Sequence, residues 1–208
     1  MQKVHYIKEE MTPEEIKFFD NLAPVWDQNE KRSTASKVSE IIGMTGIRQG
    51  MRILDLGTGT GVLIPFLSSL VGQGGAVDAI DISEGMLNRA REKYGDLENV
   101  SFTKLDFESQ PIPGKYDLVF LYCVYPHLHT PRETLLRLAS CNLNDDGKII
   151  IAFPSDENFI NSIHEERKAE SDMLPSAPSL AARISSWGMP AKILAYDEDR
   201  YVISVSKN

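Results

Sequence analysis

A chain of 208 residues, 42% hydrophobic and 25% charged, carries enough apolar surface to close a single core, and 14 glycines and 11 prolines exclude the collagenous and disordered classes. Acids outnumber bases 30 to 22, and the resulting formal charge of −8 repels phosphate backbones and anionic membrane surfaces, so neither nucleic acid nor a membrane is an expected partner. Two cysteines, Cys123 and Cys141, are too few for a disulfide framework and fit a reducing cytoplasm, while no stretch approaches the roughly 18 apolar residues of a membrane span.

In chain order, Thr12-Pro13-Glu14-Glu15 announces the first helix. Thr is its N-cap, Pro sits in the first turn and Glu closes a capping box, ahead of Ile16, Phe18, Phe19 and Leu22. Five apolar, β-branched segments then recur at 51–56, 76–80, 100–105, 116–121 and 148–153, with room for a helix between them. Such near-continuous apolar strands indicate a mostly parallel, doubly wound α/β sheet covered on both faces, with ligands bound beyond the carboxyl ends of the strands. Thr130-Pro131-Arg132-Glu133 repeats the capping logic before the stripe Leu135, Leu136, Leu138 and Ala139, a helix on which Cys141 is expected in the core.

The segment 154–190 reads as two short helices punctuated by Pro154, Pro175, Pro178 and Pro190. It is expected as a lid in which Trp26, Tyr125, His127 and side chains from 158–174 line one cavity; a purely structural insertion or a homodimer contact are readings of equal weight. Residues 191–195 and 201–205 flank the polar turn Asp197-Glu198-Asp199-Arg200 and predict an antiparallel hairpin closing one edge. The organisation is thus one domain over 1–208: a helical cap at 1–49, a ligand-binding core at 50–153, a substrate-side insertion at 154–190 and a closing hairpin at 191–208.

The chemistry concentrates where strands end. Leu54-Asp55-Leu56-Gly57-Thr58-Gly59-Thr60-Gly61 lies where the first strand hands over to a helix, and glycines there let the backbone turn sharply and approach a ligand. Taken alone, the loop is also compatible with a tight turn that binds nothing. Ile80-Asp81-Ile82-Ser83 adds an acid at the spacing where a carboxylate meets a ribose diol, and Leu105-Asp106-Phe107 adds a third. Three carboxylates along one edge favour a ligand.

A nicotinamide- or flavin-dependent oxidoreductase would need its third glycine at Val62, where this chain has it at Gly61. Acids beside the loop also suit a cation better than a pyrophosphate. Gly114-Lys115 and Gly147-Lys148 lack the rest of a phosphate-binding loop, and His164-Glu165-Glu166-Arg167-Lys168 lacks the second histidine of a zinc-protease helix.

The order and spacing of the glycine loop, of Ile80-Asp81-Ile82-Ser83-Glu84-Gly85-Met86-Leu87, of Leu105-Asp106-Phe107 and of Tyr116-Asp117-Leu118-Val119 resemble the motifs of class I S-adenosylmethionine-dependent methyltransferases. Phe18-Phe19-Asp20-Asn21-Leu22-Ala23-Pro24-Val25-Trp26-Asp27 is similar to the N-terminal helix of the ubiquinone/menaquinone-type group, with Trp26-Asp27 in place of its usual Tyr-Asp. The resemblance implies a Rossmann-like, seven-stranded fold, S-adenosylmethionine as cofactor, no metal, and a small-molecule methyl acceptor. It further implies that Asp55, Gly57, Thr58, Gly59 and Gly61 surround the methionine part of the cofactor. Asp81 would bind the ribose hydroxyls, and Asp106 with the Phe107 backbone the adenine, on whose ring Ile82 and Met86 pack. Tyr122 would meet the cofactor amino group, and Trp26 with Asp27 would close the pocket from above.

Tyr122-Cys123-Val124-Tyr125-Pro126-His127-Leu128-His129-Thr130-Pro131 follows the fourth strand, and in the resembled family this segment flanks the transferred methyl. Tyr125 and His127 are the candidate catalytic residues. His127 serves either as a general base or as a packing residue before the next helix. Cys123, His127 and His129 are three potential metal ligands without a fourth, which do not define a site. No Asn-Pro-Pro-Tyr or Asp-Pro-Pro-Tyr base-methylation motif occupies the position. A non-catalytic cofactor-binding or interaction protein on the same fold stays open, because fold does not fix activity.

Overall fold

The structure is a computed structural model that describes residues 12–29, 34–166 and 173–207. Each apolar segment forms a strand: β1 (Arg52–Leu56), β2 (Ala76–Asp81), β3 (Val100–Lys104), β4 (Tyr116–Tyr122) and β5 (Leu143–Phe153). These five run parallel, and the hairpin β6 (Ala191–Asp197) and β7 (Arg200–Ser206) joins the β5 edge antiparallel, giving the order β3-β2-β1-β4-β5-β7-β6. The order reverses between β1 and β4, and the crevice at their carboxyl ends is where such sheets hold ligands.

Alternation along the central strands sends side chains to two cores. Leu54, Leu56, Val119, Leu121, Ile149 and Ile151 pack under α6 (Pro131–Arg137) and α8 (Ala177–Ser186). Ile53, Leu118, Phe120, Ile150 and Ala152 pack under α3 (Ala35–Gly43) and α4 (Ile64–Val71). Edge strand β3 is largely exposed, as its mixed sequence requires.

At the N-terminus, α1 (Pro13–Leu22) carries the predicted capping box: Glu15 N donates to Thr12 Oγ1, and Thr12 N donates to Glu15 Oε2. A 3-10 turn (Ala23–Val25) and the short α2 (Trp26–Asn29) continue it, and this run packs against α5 (Glu84–Tyr94).

Three expectations change. Thr130 precedes α6, yet its side chain makes no capping bond, because its hydroxyl donates to Glu108 Oε1 instead, which also takes the Thr130 N–H expected to bond Glu133. Strand β5 begins at Leu143 rather than at residue 148, since Leu143 pairs with Tyr116 before a register shift. Cys141 is exposed on the π-helical turn Leu138–Asn142 that ends α6, not in the core. In the insertion, α7 (Glu157–Glu166) and α8 form as predicted, and Leu180 and Ile184 of α8 are fully buried, so α8 plays the structural part and covers β6 and β7.

Candidate active site

The glycine loop is shaped by one close approach. Gly57 has φ +67° and a Cβ there would stand 2.5 Å from Val124 Cγ2, so only glycine lets the loop after β1 lie against the segment after β4. Gly57 N and Thr58 N both donate to Ile80 O, at 2.8 and 3.0 Å, which fixes the loop to the end of β2. Gly59 faces open space.

Two carboxylates are buried at this edge. Asp55 accepts from Thr58 Oγ1 at 2.7 Å, and Asp81 accepts from Gly59 N and Ser83 N, both at 2.8 Å. Burial pushes the Asp55 pKa up to about 7, against the Thr58 hydrogen bond and helped by the charge of Asp81. Burial likewise pushes Asp81 up to about 6, with the backbone donors of Ser83, Gly59 and Ile82 opposing and Asp20 adding to the rise. Asp106, beyond β3, accepts from Glu108 N and Ser109 Oγ.

These groups border one cavity of about 300 Å³, within the size range of small-ligand sites. Its lining holds Trp26, Asp27, Asp55, Gly57, Thr58, Gly59, Asp81, Ile82, Met86, Asp106, Phe107, Tyr122 and His127, twelve of the predicted site residues together with Asp27. It also holds Phe19, Thr60, Val62, Leu63, Glu108, Cys123, Val124 and Leu128, which motif reasoning did not select. Phe19 belonged to the apolar stripe of the first helix, and Glu108 directly follows Asp106-Phe107; nothing local marks either as facing a ligand.

Two predicted residues lie outside this lining. Gly61, at φ +85°, packs where a Cβ would meet Ile64 at 2.9 Å and Tyr94 at 3.0 Å, so it serves the packing of α4 and α5. Tyr125 points away from the cavity into the core beside Leu174, Leu180 and Tyr201. Its hydroxyl is buried without a hydrogen-bond partner among the described residues, and burial pushes its pKa up to about 12, partly offset by Arg183. We therefore expect Tyr125→Phe to leave ligand binding unchanged and to raise stability by about 1 kcal/mol in a denaturant titration, since the substitution removes an unsatisfied buried group. A lost affinity would return Tyr125 to the site.

The roof of the cavity comes from the N-terminus. Asp20 Oδ1 accepts from Ser83 Oγ at 2.6 Å and Gly85 N at 2.9 Å; Asp27 accepts from Thr60 Oγ1 at 2.6 Å and pairs with Lys93 at 2.6 Å. So anchored, Phe19 meets the rings of Trp26 and His127 at 6.2 and 5.7 Å between centroids. Among the described residues of 154–190 none lines the cavity; residues 167–172 lie outside the described residues. Asn161 holds Leu174 through two hydrogen bonds instead. Among the described residues no group of three or more His, Cys, Asp or Glu side chains is placed to hold a metal, Cys123, His127 and His129 included. None of the described helices is long and apolar enough to cross a membrane.

The donor set fits a cationic nucleoside. Two buried carboxylates, with Asp27 and Asp106 beside them, face a cavity whose lining includes no Lys or Arg among the described residues. A sulfonium supplies the missing charge and a ribose diol the missing donors.

Comparison with known proteins agrees. A methyltransferase-domain family model matches residues 47–198. The ubiquinone/menaquinone biosynthesis C-methyltransferase UbiE of Yersinia enterocolitica is 44% identical over 114 residues, 53% of this chain and 45% of that protein; the Yersinia pestis protein is 42% identical over the same length. The chain spans about half the length of these curated relatives. Among solved structures, a SAM-dependent methyltransferase from Aquifex aeolicus has TM-score 0.67 at 24% identity over 94% of this chain and 98% of that one. The DhpI–SAM–HEP complex reaches 0.73 at 19% identity over 95% and 98%, and both likenesses show the fold. With the family model covering most of the chain, the chain belongs to the methyltransferase-domain family.

Proposed function

We propose that the chain transfers the methyl group of S-adenosylmethionine to a small-molecule acceptor, in the cytoplasm. The observation that carries this reading is the charge of the cavity: four aspartates and Glu108 line it, with His127 the one basic side chain there among the described residues. An anionic dinucleotide would meet repulsion in that field, whereas a sulfonium gains from it.

When bound, the sulfonium supplies a methyl group already attached to a good leaving group, so the protein's task is alignment and exclusion of water. Asp81 accepts hydrogen bonds from the ribose hydroxyls. Asp106 and the Phe107 backbone address the adenine, with Ile82 and Met86 against its faces. Asp55, Thr58 and Tyr122 surround the methionine end, and Phe19 with Trp26 shuts the roof. His127, held edge-on by Phe19, is the group placed to take a proton from an acceptor that must lose one. The names of the relatives describe C-methylation in ubiquinone/menaquinone biosynthesis, and the apolar wall of Phe19, Trp26 and Leu128 suits an apolar small acceptor.

Calorimetry should show binding of S-adenosylmethionine and S-adenosylhomocysteine and none of NAD; the reverse preference would overturn the reading. A screen of small-molecule acceptors with mass detection of methylated product then identifies the substrate, and absence of turnover with every acceptor would favour a non-catalytic binder.

A further inference from the structure

Glu108 occupies a junction that the proposed transfer does not itself explain. Its side chain is only 8% exposed, and it lines the cavity. Oε1 accepts from Thr130 N at 3.0 Å, Thr130 Oγ1 at 3.0 Å and Thr134 Oγ1 at 3.1 Å, while Oε2 accepts from His129 N at 3.0 Å. One carboxylate thus collects four donors from the turn that leads from His127 into α6. A charged acceptor matched so fully to donors is a rigid clamp, because releasing it would strand a buried charge.

The clamp reaches further through the imidazole of His129. Glu108 holds the His129 backbone N–H, and the ring's Nε2 stands 3.3 Å from Glu15 Oε1 on α1, whereas Nδ1, 3.5 Å from Glu108 Oε2, makes no hydrogen bond among the described residues. Asp20 and Asp27 tie the N-terminal roof to α5 and the glycine loop; the His129 to Glu15 contact ties it to the opposite wall. The seam between roof and wall is where the ring of Phe19 meets that of His127.

We propose that Glu108 is a positioning residue that sets the turn carrying His127 and, through His129, latches the N-terminal roof, thereby gating exchange of the nucleoside ligand. The gating rests on the function proposed above; the clamp itself does not. Glu108→Gln keeps the volume but turns an NH2 toward a donor, so the turn loosens without leaving a cavity. His129→Ala cuts only the leg to α1.

The experiment combines amide hydrogen exchange on the free protein with stopped-flow binding of S-adenosylhomocysteine, followed by Trp26 fluorescence in a Trp187→Phe background. In E108Q the amides of His129 and Thr130 should exchange at least about tenfold faster while β1 and β4 keep their protection. Association and dissociation of the ligand should both quicken by about fivefold in E108Q and in H129A, and in H129A, whose side chain is not part of the cavity lining, the Kd should stay within about threefold, the signature of a gate. H129A should reproduce the ligand kinetics yet leave the Thr130 amide protected. Unchanged rates in both variants, or faster exchange spread over the whole sheet, would overturn the proposal. Should the wild type bind no S-adenosylhomocysteine, the functional reading falls, and protected 129–130 amides in E108Q would then overturn the clamp as well.

Discussion

Replacing Asp81 with alanine is expected to weaken S-adenosylhomocysteine binding by at least about tenfold in calorimetry while the circular dichroism spectrum stays that of the wild type. Asp81 ends β2 with its carboxylate 8% exposed, at the floor of the cavity. Each charge-assisted bond from a ribose hydroxyl contributes about 1.5 to 3 kcal/mol, so losing two exceeds the roughly 1.4 kcal/mol of a tenfold change. The same carboxylate also accepts from Gly59 N and Ser83 N, and the alanine leaves both donors to water entering the vacated space. Asp81→Asn retains one acceptor oxygen and the volume, and its affinity should fall between the two. An unchanged Kd in the alanine variant would place the ribose elsewhere.

Why so much of this was legible in the sequence follows from where the information is stored. The stretches 53–56, 118–122 and 149–153 of β1, β4 and β5 are buried on both faces, which favours near-continuous apolar runs at the spacing of a βα alternation. The start of α1 was equally legible, since Thr12 and Glu15 cap each other within one turn. Thr130 carried the same local pattern and failed, because Glu108, adjacent only in space, takes both the Thr130 N–H and the hydroxyl that the capping box would use. Local rules hold until a tertiary partner offers a stronger bond.

The site divides along the same line. Asp55, Asp81 and Asp106 could be read because strand ends in a parallel sheet share one edge, so spacing alone brings them together. Tyr125 and His127 could not be separated by sequence: both lie on one 3-10 turn, and only its docking decides that His127 faces the cavity while Tyr125 enters the core. Gly61 shared the motif of Gly57 and Gly59 but met Ile64 and Tyr94 in place of a ligand. Trp26 was legible as part of the roof, whereas the insertion left a lid and a structural role open in the sequence: prolines mark joints, and only the buried face of α8 shows that this helix belongs to the core.

The two buried acids also predict an unusual pH response. Asp55 and Asp81 have folded pKa values of about 7 and about 6, above the ordinary 3.8. The folded state therefore binds more protons than the unfolded one between 3.8 and about 7, and stability must fall as pH rises through that window. Asp27 and Asp78 act oppositely. Although burial works against them, hydrogen bonds from Lys93 and Thr60, and from Ser101 and Arg52, hold them below 3.8, so their stabilisation is lost only in stronger acid. Ligand-free protein should thus have its highest Tm near about pH 4, at the low end of that window, and lose on the order of a few kcal/mol by about pH 8. Asp55→Asn, which cannot ionise and can still accept from Thr58 Oγ1, should flatten that decline; an equal slope in the variant would show that Asp55 is not its source. Because a sulfonium favours the ionised carboxylates, the rise in Tm produced by S-adenosylmethionine should be larger at about pH 8 than at about pH 5. The cost of burying two acids is then met by the ligand itself, which ties the stability of this edge to its occupancy.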